Sequence, residues 1–337
     1  MMKKIDIHQI LKRYGIILLL VVLVIICSFL SDSFLTLTNL FNILKQISVI
    51  LMIAYGECLV IIAGQTDLSP GSVLCVSGVL AAMTFVSTGS LALSIIVSVL
   101  AGAAAGVFNG FFITRYALPP FIVTLAMQFM ARGLALYVSN GAPVVIEGDA
   151  FKQLGQGQFL GIPNVVFLAA VLFVVAWFLL NRTAYGRYIY AVGGNEEAAR
   201  ASGVNVNRVK VIAFMLCGAL SGLAGFALMS RMNVGQPNAG VNYEFEAIIG
   251  VILGGASFSG GVGTMFGSVV GCVIVGVLSN VLNLLNVSAY VQQIVKGLLI
   301  LIAVVADAKS KGIGVGSFSR WLGRNRKLGG EANAVKK

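Results

Sequence analysis

Apolar runs of about 20 residues, the length at which a helix crosses a hydrocarbon core, recur along this chain between short polar segments. They fall at 14–31, 46–64, 70–88, 91–114, 119–139, 162–181, 210–230, 243–259, 263–285 and 288–307. None alternates as a barrel strand does, and lipid leaves backbone groups no partner outside helices or closed barrels. The pattern therefore predicts an all-α integral membrane protein of about ten transmembrane helices. The eighth run is short and contains Gly254, Gly255 and Gly260, the composition of a broken or re-entrant span. The first follows Lys3, Lys4, Lys12 and Arg13 as a signal peptide would. It ends in SDSF without a small-residue cleavage site, which predicts a retained span.

One polar island interrupts the later spans, from Gly193 to Lys210 (GGNEEAARASGVNVNRVK) within the loop 182–210. Its alanines and glutamates favour helix, Asn195 is a capping residue and Gly203 a terminator, so Glu196 to Ser202 predicts a short surface helix. Such a helix between spans offers a handle to a partner outside the membrane.

Charge fixes the orientation. The chain of 337 residues is 58% hydrophobic and only 10% charged, with a formal charge of +11 and a mean hydropathy of +0.96. With the N-terminus inside, the inner segments collect most of the basic residues, and the outer ones hold only Lys45, Lys152 and Arg231 beside Glu147, Asp149, Glu244 and Glu246. This positive-inside bias predicts a cytoplasmic tail at 1–13, a polytopic membrane domain at 14–307 and a basic cytoplasmic tail at 308–337. It also explains the basic excess without a nucleic-acid partner. The groups 46–139 and 210–307 each hold four spans and enter from opposite sides, which permits an inverted repeat. Gly71-Ser72-Val73 and Gly267-Ser268-Val269 match in letters between them.

Catalytic chemistry finds little to work with. The single histidine, His8, lies in the polar N-terminal segment. All five cysteines (Cys27, Cys58, Cys75, Cys217, Cys272) sit in apolar runs without metal-ligand spacing. No lysine follows a glycine, so the chain has no Walker A loop, and any ATP is bound by another polypeptide. No metal or cofactor is expected. Small residues at four-residue spacing, Gly102, Gly106 and Gly110, then Gly263, Gly267 and Gly271, predict flat helix faces for close packing, within the subunit or at a dimer seam.

Ionisable and amide groups within spans are costly and face a cavity or a partner. Glu57, Arg132 and Lys296 are the charged examples. Gln128 precedes Arg132, and Gln292 precedes Lys296, by four residues, so each pair shares a helix face. Glu57, Gln128, Arg132, Asn280, Asn283, Gln292 and Gln293 are the candidates for lining a route for a hydroxyl-rich solute, since amides both donate and accept; the same residues suit interhelical bonding. Asp67-Leu68-Ser69-Pro70-Gly71 reads as a helix start, with Asp67 or Ser69 as cap and Pro70 at the first position.

Several segments together resemble the permease subunits of bacterial ABC importers of the ribose type, the monosaccharide or branched-chain permease family, over about residues 34 to 308. They are FLTLTNLFNIL (Phe34 to Leu44), TDLSPGS (Thr66 to Ser72), GRYIYAVGGNEEAARASGVNVNRVK (Gly186 to Lys210), LGGASFSGGVGT (Leu253 to Thr264) and NLLNVSAYVQQIVKG (Asn283 to Gly297). The resemblance implies a subunit of the bacterial inner membrane working as a homodimer, or a heterodimer with a related permease. It also implies two cytoplasmic ATPase subunits, a sugar-binding protein outside, and a monosaccharide, ribose or another pentose, as solute, the alternatives being a related permease for a hexose, a nucleoside or a quorum-signalling sugar, or an ion-coupled secondary transporter. By the same resemblance the polar island is the coupling helix, with Asn195, Glu196, Glu197, Ala198, Ala199, Arg200 and Gly203 docking in an ATPase groove. The chain departs from the family pattern at Gln65-Thr66, Pro70 and Glu57.

Overall fold

The computed structural model describes residues 7–310; the first six residues and the expected basic tail beyond 310 lie outside it. The elements in chain order are α1 (Ile7–Leu30), α2 (Leu37–Ile62), α3 (Pro70–Thr88), α4 (Leu91–Arg115), α5 (Pro120–Val138), β1 (Val144–Val145), α6 (Asp149–Gln156), β2 (Gln158–Phe159), β3 (Ile162–Pro163), α7 (Asn164–Arg182), α8 (Ala184–Gly194), α9 (Glu196–Ala201), α10 (Val206–Met232), β4 (Val234–Gly235), α11 (Tyr243–Leu253), α12 (Met265–Leu284) and α13 (Ala289–Ser310). Local chemistry sets their ends. Thr36, Ser90, Asn205 and Thr264 cap α2, α4, α10 and α12 through side-chain oxygens, and Pro70 and Pro120 open α3 and α5.

Among the described residues seven helices, α2, α3, α4, α5, α7, α10 and α12, are long and apolar enough to cross a membrane. The apolar parts of α1 and α13 are shorter. The eleven residues of α11 rise only about 16 Å, half a hydrocarbon core. The expected ten spans thus become seven full-length helices, two shorter apolar ones and a half-helix, and the expected eighth span is indeed broken. The helix α1 starts within the segment read as a tail, α2 starts at Leu37 well before residue 46, and the outer segment 140–163 folds into α6 and a small hairpin that the hydropathy pattern did not show.

Two buried helices, α2 and α10, organise the rest. The helix α10 packs against α3 and α4, and α2 packs against α11 and α12; α5 then lies on α3 as α13 lies on α11. This exchange of partners is the arrangement of an inverted repeat, with α2 matched to α10, α3 to α11, α4 to α12 and α5 to α13. The last pair carries it in sequence: QFMARGLAL at 128–136 stands against QQIVKGLLI at 292–300. The shared letters of Gly71-Ser72-Val73 and Gly267-Ser268-Val269 join α3 to α12 and so do not mark the repeat.

Close backbone approach holds the two halves together. A Cβ on Gly102, Gly106 or Gly110 of α4 would fall 2.1, 2.0 or 2.7 Å from Gly218 O, Phe214 O or Val211 Cα of α10, so this stripe is an intrasubunit seam. On α12, Gly267 and Gly271 meet the carbonyls of Gly254 and Gly250 in the same way. Gly263 does not belong to that stripe: it precedes the helix, at φ 153°.

Candidate translocation and coupling site

The half-helix α11 begins inside the membrane because the chain before it is drawn inward along α3. The strand β4 pairs with β1 near the outer end, through Val144 with Gly235 and Val145 with Val234. Gly235 lies against Ala82, and Gly240 lies against Gly71, eleven residues and about 16 Å further down α3. Non-helical backbone at such depth needs hydrogen-bond donors. Arg132 of α5 supplies them, donating from one terminal nitrogen to Pro237 O at 3.2 Å and to Ala239 O at 2.8 Å. The Cys75 thiol donates to Pro237 O at 3.0 Å.

The first turn of α11 carries Glu244 and Glu246, where the positive end of the helix dipole favours carboxylates. They were expected in an outer loop; both are buried. Gln128 of α5 donates to Glu244 Oε1 at 3.0 Å. Lys296 of α13 forms an ion pair with Glu246 on the opposite side. The repeat thus brings Gln128 and Arg132 of α5 to one side of this segment and Lys296 of α13 to the other. The close approach also needs a glycine, since a Cβ on Gly71 would sit 2.0 Å from Glu244 Oε2.

Behind this turn, Glu57 of α2 is completely buried, and neither of its carboxylate oxygens meets a hydrogen-bond partner. It lies within electrostatic reach of Asp67 and Glu244 and makes no ion pair with Arg132. Asp67 does not cap α3. It accepts from the Ser69 backbone N–H at 2.8 Å and the Ser69 hydroxyl at 2.6 Å, while Asn109 of α4 donates to Ser69 Oγ at 3.0 Å.

The remaining amide candidates lie elsewhere. Asn280 of α12 and Asn39 of α2 exchange amide bonds at 3.0 and 2.9 Å in a buried pair. Gln292 donates to Asn283 Oδ1 and Val287 O, both at 2.9 Å, and closes the turn between α12 and α13. The seven pathway candidates therefore do not form one lining. Gln128 and Arg132 converge on α11, Glu57 stands behind it, and Gln293 faces a separate cavity. Asp67, Asn109, Glu244 and Glu246 belong to the polar centre although the pathway set omitted them.

At the end of the bundle assigned to the cytoplasm, Asn195 Oδ1 accepts the Ala198 N–H at 2.9 Å to start α9, and Gly203 at φ 83° follows its end. The helix ends at Ala201, one residue short of expectation. Ala199 packs inward, while Glu197, Ala198 and Arg200 are exposed. Glu196 pairs with Arg200 at 3.1 Å and with Lys210 of α10 at 2.7 Å. The hydrogen bond from Lys210, with Arg200 adding to it, holds the Glu196 carboxyl below the usual carboxylate range. The preceding helix α8, unforeseen in the sequence, is tied down by Tyr185 OH to Val209 O at 3.0 Å and Tyr190 OH to Gly263 O at 2.8 Å. A polar cavity of about 340 Å³ beside α9 is lined by Gln65, Thr114, Glu196, Arg200 and Lys210, among others.

Sequence comparison places this geometry among known proteins. The family described as branched-chain amino acid transport system / permease component matches residues 39–304. The chain is 43% identical to the ribose import permease protein RbsC of Escherichia coli K12 over 87% of its own length and 92% of the relative's. It is 45% identical to RbsC of Bacillus subtilis 168 over 91% and 96%, and 40% identical to the L-arabinose ABC transporter permease protein AraH of Azospirillum brasilense over 89% and 88%. No solved structure matches the chain. With most of its length matched and its apolar helices built around a broken span, this membrane protein belongs to the branched-chain amino acid transport system permease family.

Proposed function

We propose that the chain is the membrane-spanning subunit of an ATP-driven ABC importer that passes a monosaccharide, ribose or another pentose, into the bacterial cytoplasm. Identity of 43% and 45% with two ribose import permeases across nearly their whole length is the observation that carries this reading. Two permease chains, identical or related, work with two cytoplasmic ATP-binding subunits and receive sugar from an extracytoplasmic binding protein. The chain hydrolyses no ATP itself. Asn195, Glu196, Glu197, Ala198, Ala199, Arg200 and Gly203 form or end the helix that enters an ATPase groove. Its exposed Glu197, Ala198 and Arg200 leave a free face for that contact. Nucleotide-driven closure then moves the permease between outward and inward access by favouring one of two states.

A second solute has an observation of its own, the 40% identity with an L-arabinose permease. The test is co-purification with the neighbouring ATPase and binding protein, then ATP-dependent uptake of labelled ribose and L-arabinose in membrane vesicles. The importer reading expects the native complex to take up one of them. It also expects a Glu197→Arg, Gly203→Trp double variant to lose ATPase binding and uptake together. Uptake that persists without ATP and collapses with an ion gradient would replace it with an ion-coupled transporter.

A further inference from the structure

Between α11 and α13 lies a cavity of about 180 Å³, lined by Asn242, Phe245, Glu246, Gln293 and Lys296 with apolar neighbours. That volume is about six waters of liquid, the scale of one small sugar ring. Glu246 is only 4% exposed. One of its oxygens is engaged by Lys296 and the other, Oε2, is buried without a partner. The Lys296 ammonium carries three donors and uses one on Glu246. Asn242 stands at φ 67° immediately before α11, and its side chain does not cap the helix. Gln293 is exposed on the same side.

Lipid does not suit this lining. A carboxylate, an ammonium and two amides in the membrane interior face a polar cavity or one another. Lys296 lies seven residues into α13, about 10 Å along its axis, and so is well inside the hydrocarbon layer. The set brings acceptors, donors and an aromatic ring to one cavity, the chemistry that recognises adjacent hydroxyl groups on a neutral ring.

We infer that this cavity is a hydroxyl-recognising subsite on the solute's route, in which Glu246 accepts from, and Lys296 donates to, neighbouring hydroxyls of a monosaccharide. The ion pair between them fixes both groups so that little ordering is needed when sugar arrives. Asn242 and Gln293 contact the remaining hydroxyls, and Phe245 faces the ring. This inference rests on the sugar-permease reading.

The test uses the full importer, with its ATPase and binding protein, in vesicles supplied with labelled ribose or with 2-deoxyribose, which lacks one hydroxyl. Glu246→Gln and Gln293→Leu are expected to lower ribose uptake about tenfold, the loss expected for a charge-assisted or well-placed hydrogen bond. Their effect on deoxyribose is expected to be smaller, so the preference between the sugars narrows. A purely structural ion pair would lower both in proportion, and that result overturns the subsite. So does uptake within about twofold of native in both variants. The double variant Glu246→Leu, Lys296→Met fills the space with apolar groups, and full ribose uptake by it would also overturn the subsite. If the native importer takes up no sugar, the sugar-permease reading itself fails, whatever the variants do.

Discussion

Gly261 donates its backbone N–H to the carbonyl oxygen of Ile62 at 2.8 Å, which ties the loop between α11 and α12 to the end of α2. Gly193, at the end of α8, presses on the same place: a Cβ there would fall 1.8 Å from Ile62 O and 2.5 Å from Gly261 N. Three backbones thus meet through main-chain atoms, three residues before α9 begins at Glu196. The joint therefore connects the flank of α9 to both the buried helix α2 and the loop between α11 and α12.

Gly193→Ala therefore forces backbone apart, whereas Gly194→Ala meets nothing within 4 Å. Overpacking of this kind costs about 1–3 kcal/mol. The expected outcome is that Gly193→Ala lowers the amount of sugar moved per ATP hydrolysed while Gly194→Ala behaves as native. Equal transport stoichiometry in the two variants would show that the joint transmits nothing.

Glu196 links α9 to α10 through Lys210, and its pH dependence has a definite sign. Its folded-state pKa is depressed from an ordinary 4.5, first by the Lys210 hydrogen bond. The stabilisation is therefore present above the unfolded value and is lost as pH falls through the folded value. The side chain is half exposed, so the pairs contribute roughly 1 kcal/mol or less. Hydrogen exchange of α9 should be unchanged on going from neutral pH to pH 5, after correction for intrinsic rates, and should accelerate only in the acid range below the usual carboxylate value. Glu196→Gln should exchange fast throughout. A native α9 that loosens between pH 7 and 6 would contradict the assignment.

How much of this was legible in the sequence depended on whether the signal was local. The helix α9 was legible because Asn195 and Gly203 mark its ends within a few residues. The extension of α2 back to Leu37 was not, because Thr38, Asn39, Asn42 and Lys45 depress the hydropathy of its outer turns. Asn39 tolerates burial through Phe34 O and through Asn280, a partner 241 positions away. Glu244 and Glu246 misled for a related reason. A hydropathy window reads two carboxylates as an outer loop, although a half-helix N-terminus with Gln128 and Lys296 beside it accommodates them inside. The 128–136 and 292–300 match was the readable clue to that pairing.

Asn280 was a pathway candidate, and the structure gives its amide to helix packing instead. Asn280→Ala should lower the stability of the purified protein by about 1 kcal/mol, the scale of an interhelical polar contact in membranes. It should leave the preference between sugars unaltered. Thermal unfolding in detergent and a competition uptake assay separate the two roles: altered selectivity at native stability would return Asn280 to the solute route.

Arg132 has a backbone-supporting role that can be read through a natural reporter. Its two hydrogen bonds satisfy Pro237 O and Ala239 O in the turn segment beside α3, and the Cys75 thiol lies under that segment, bonded to Pro237 O. Removing the guanidinium takes the side-chain donor from Ala239 O, at about 1–3 kcal/mol, and leaves Pro237 O with only the weak Cys75 thiol, so the segment should open more often. Lysine restores a charge with several donors but not the planar fork, so Arg132→Lys should fall between Arg132→Ala and native. In a background where Cys75 is the sole cysteine, a membrane-permeant maleimide should modify Cys75 fastest in Arg132→Ala and slowest in the native arginine. If Cys75 stays equally protected in all three, the segment is held by its packing on Gly71 and Ala82, and Arg132 is free to serve the solute directly.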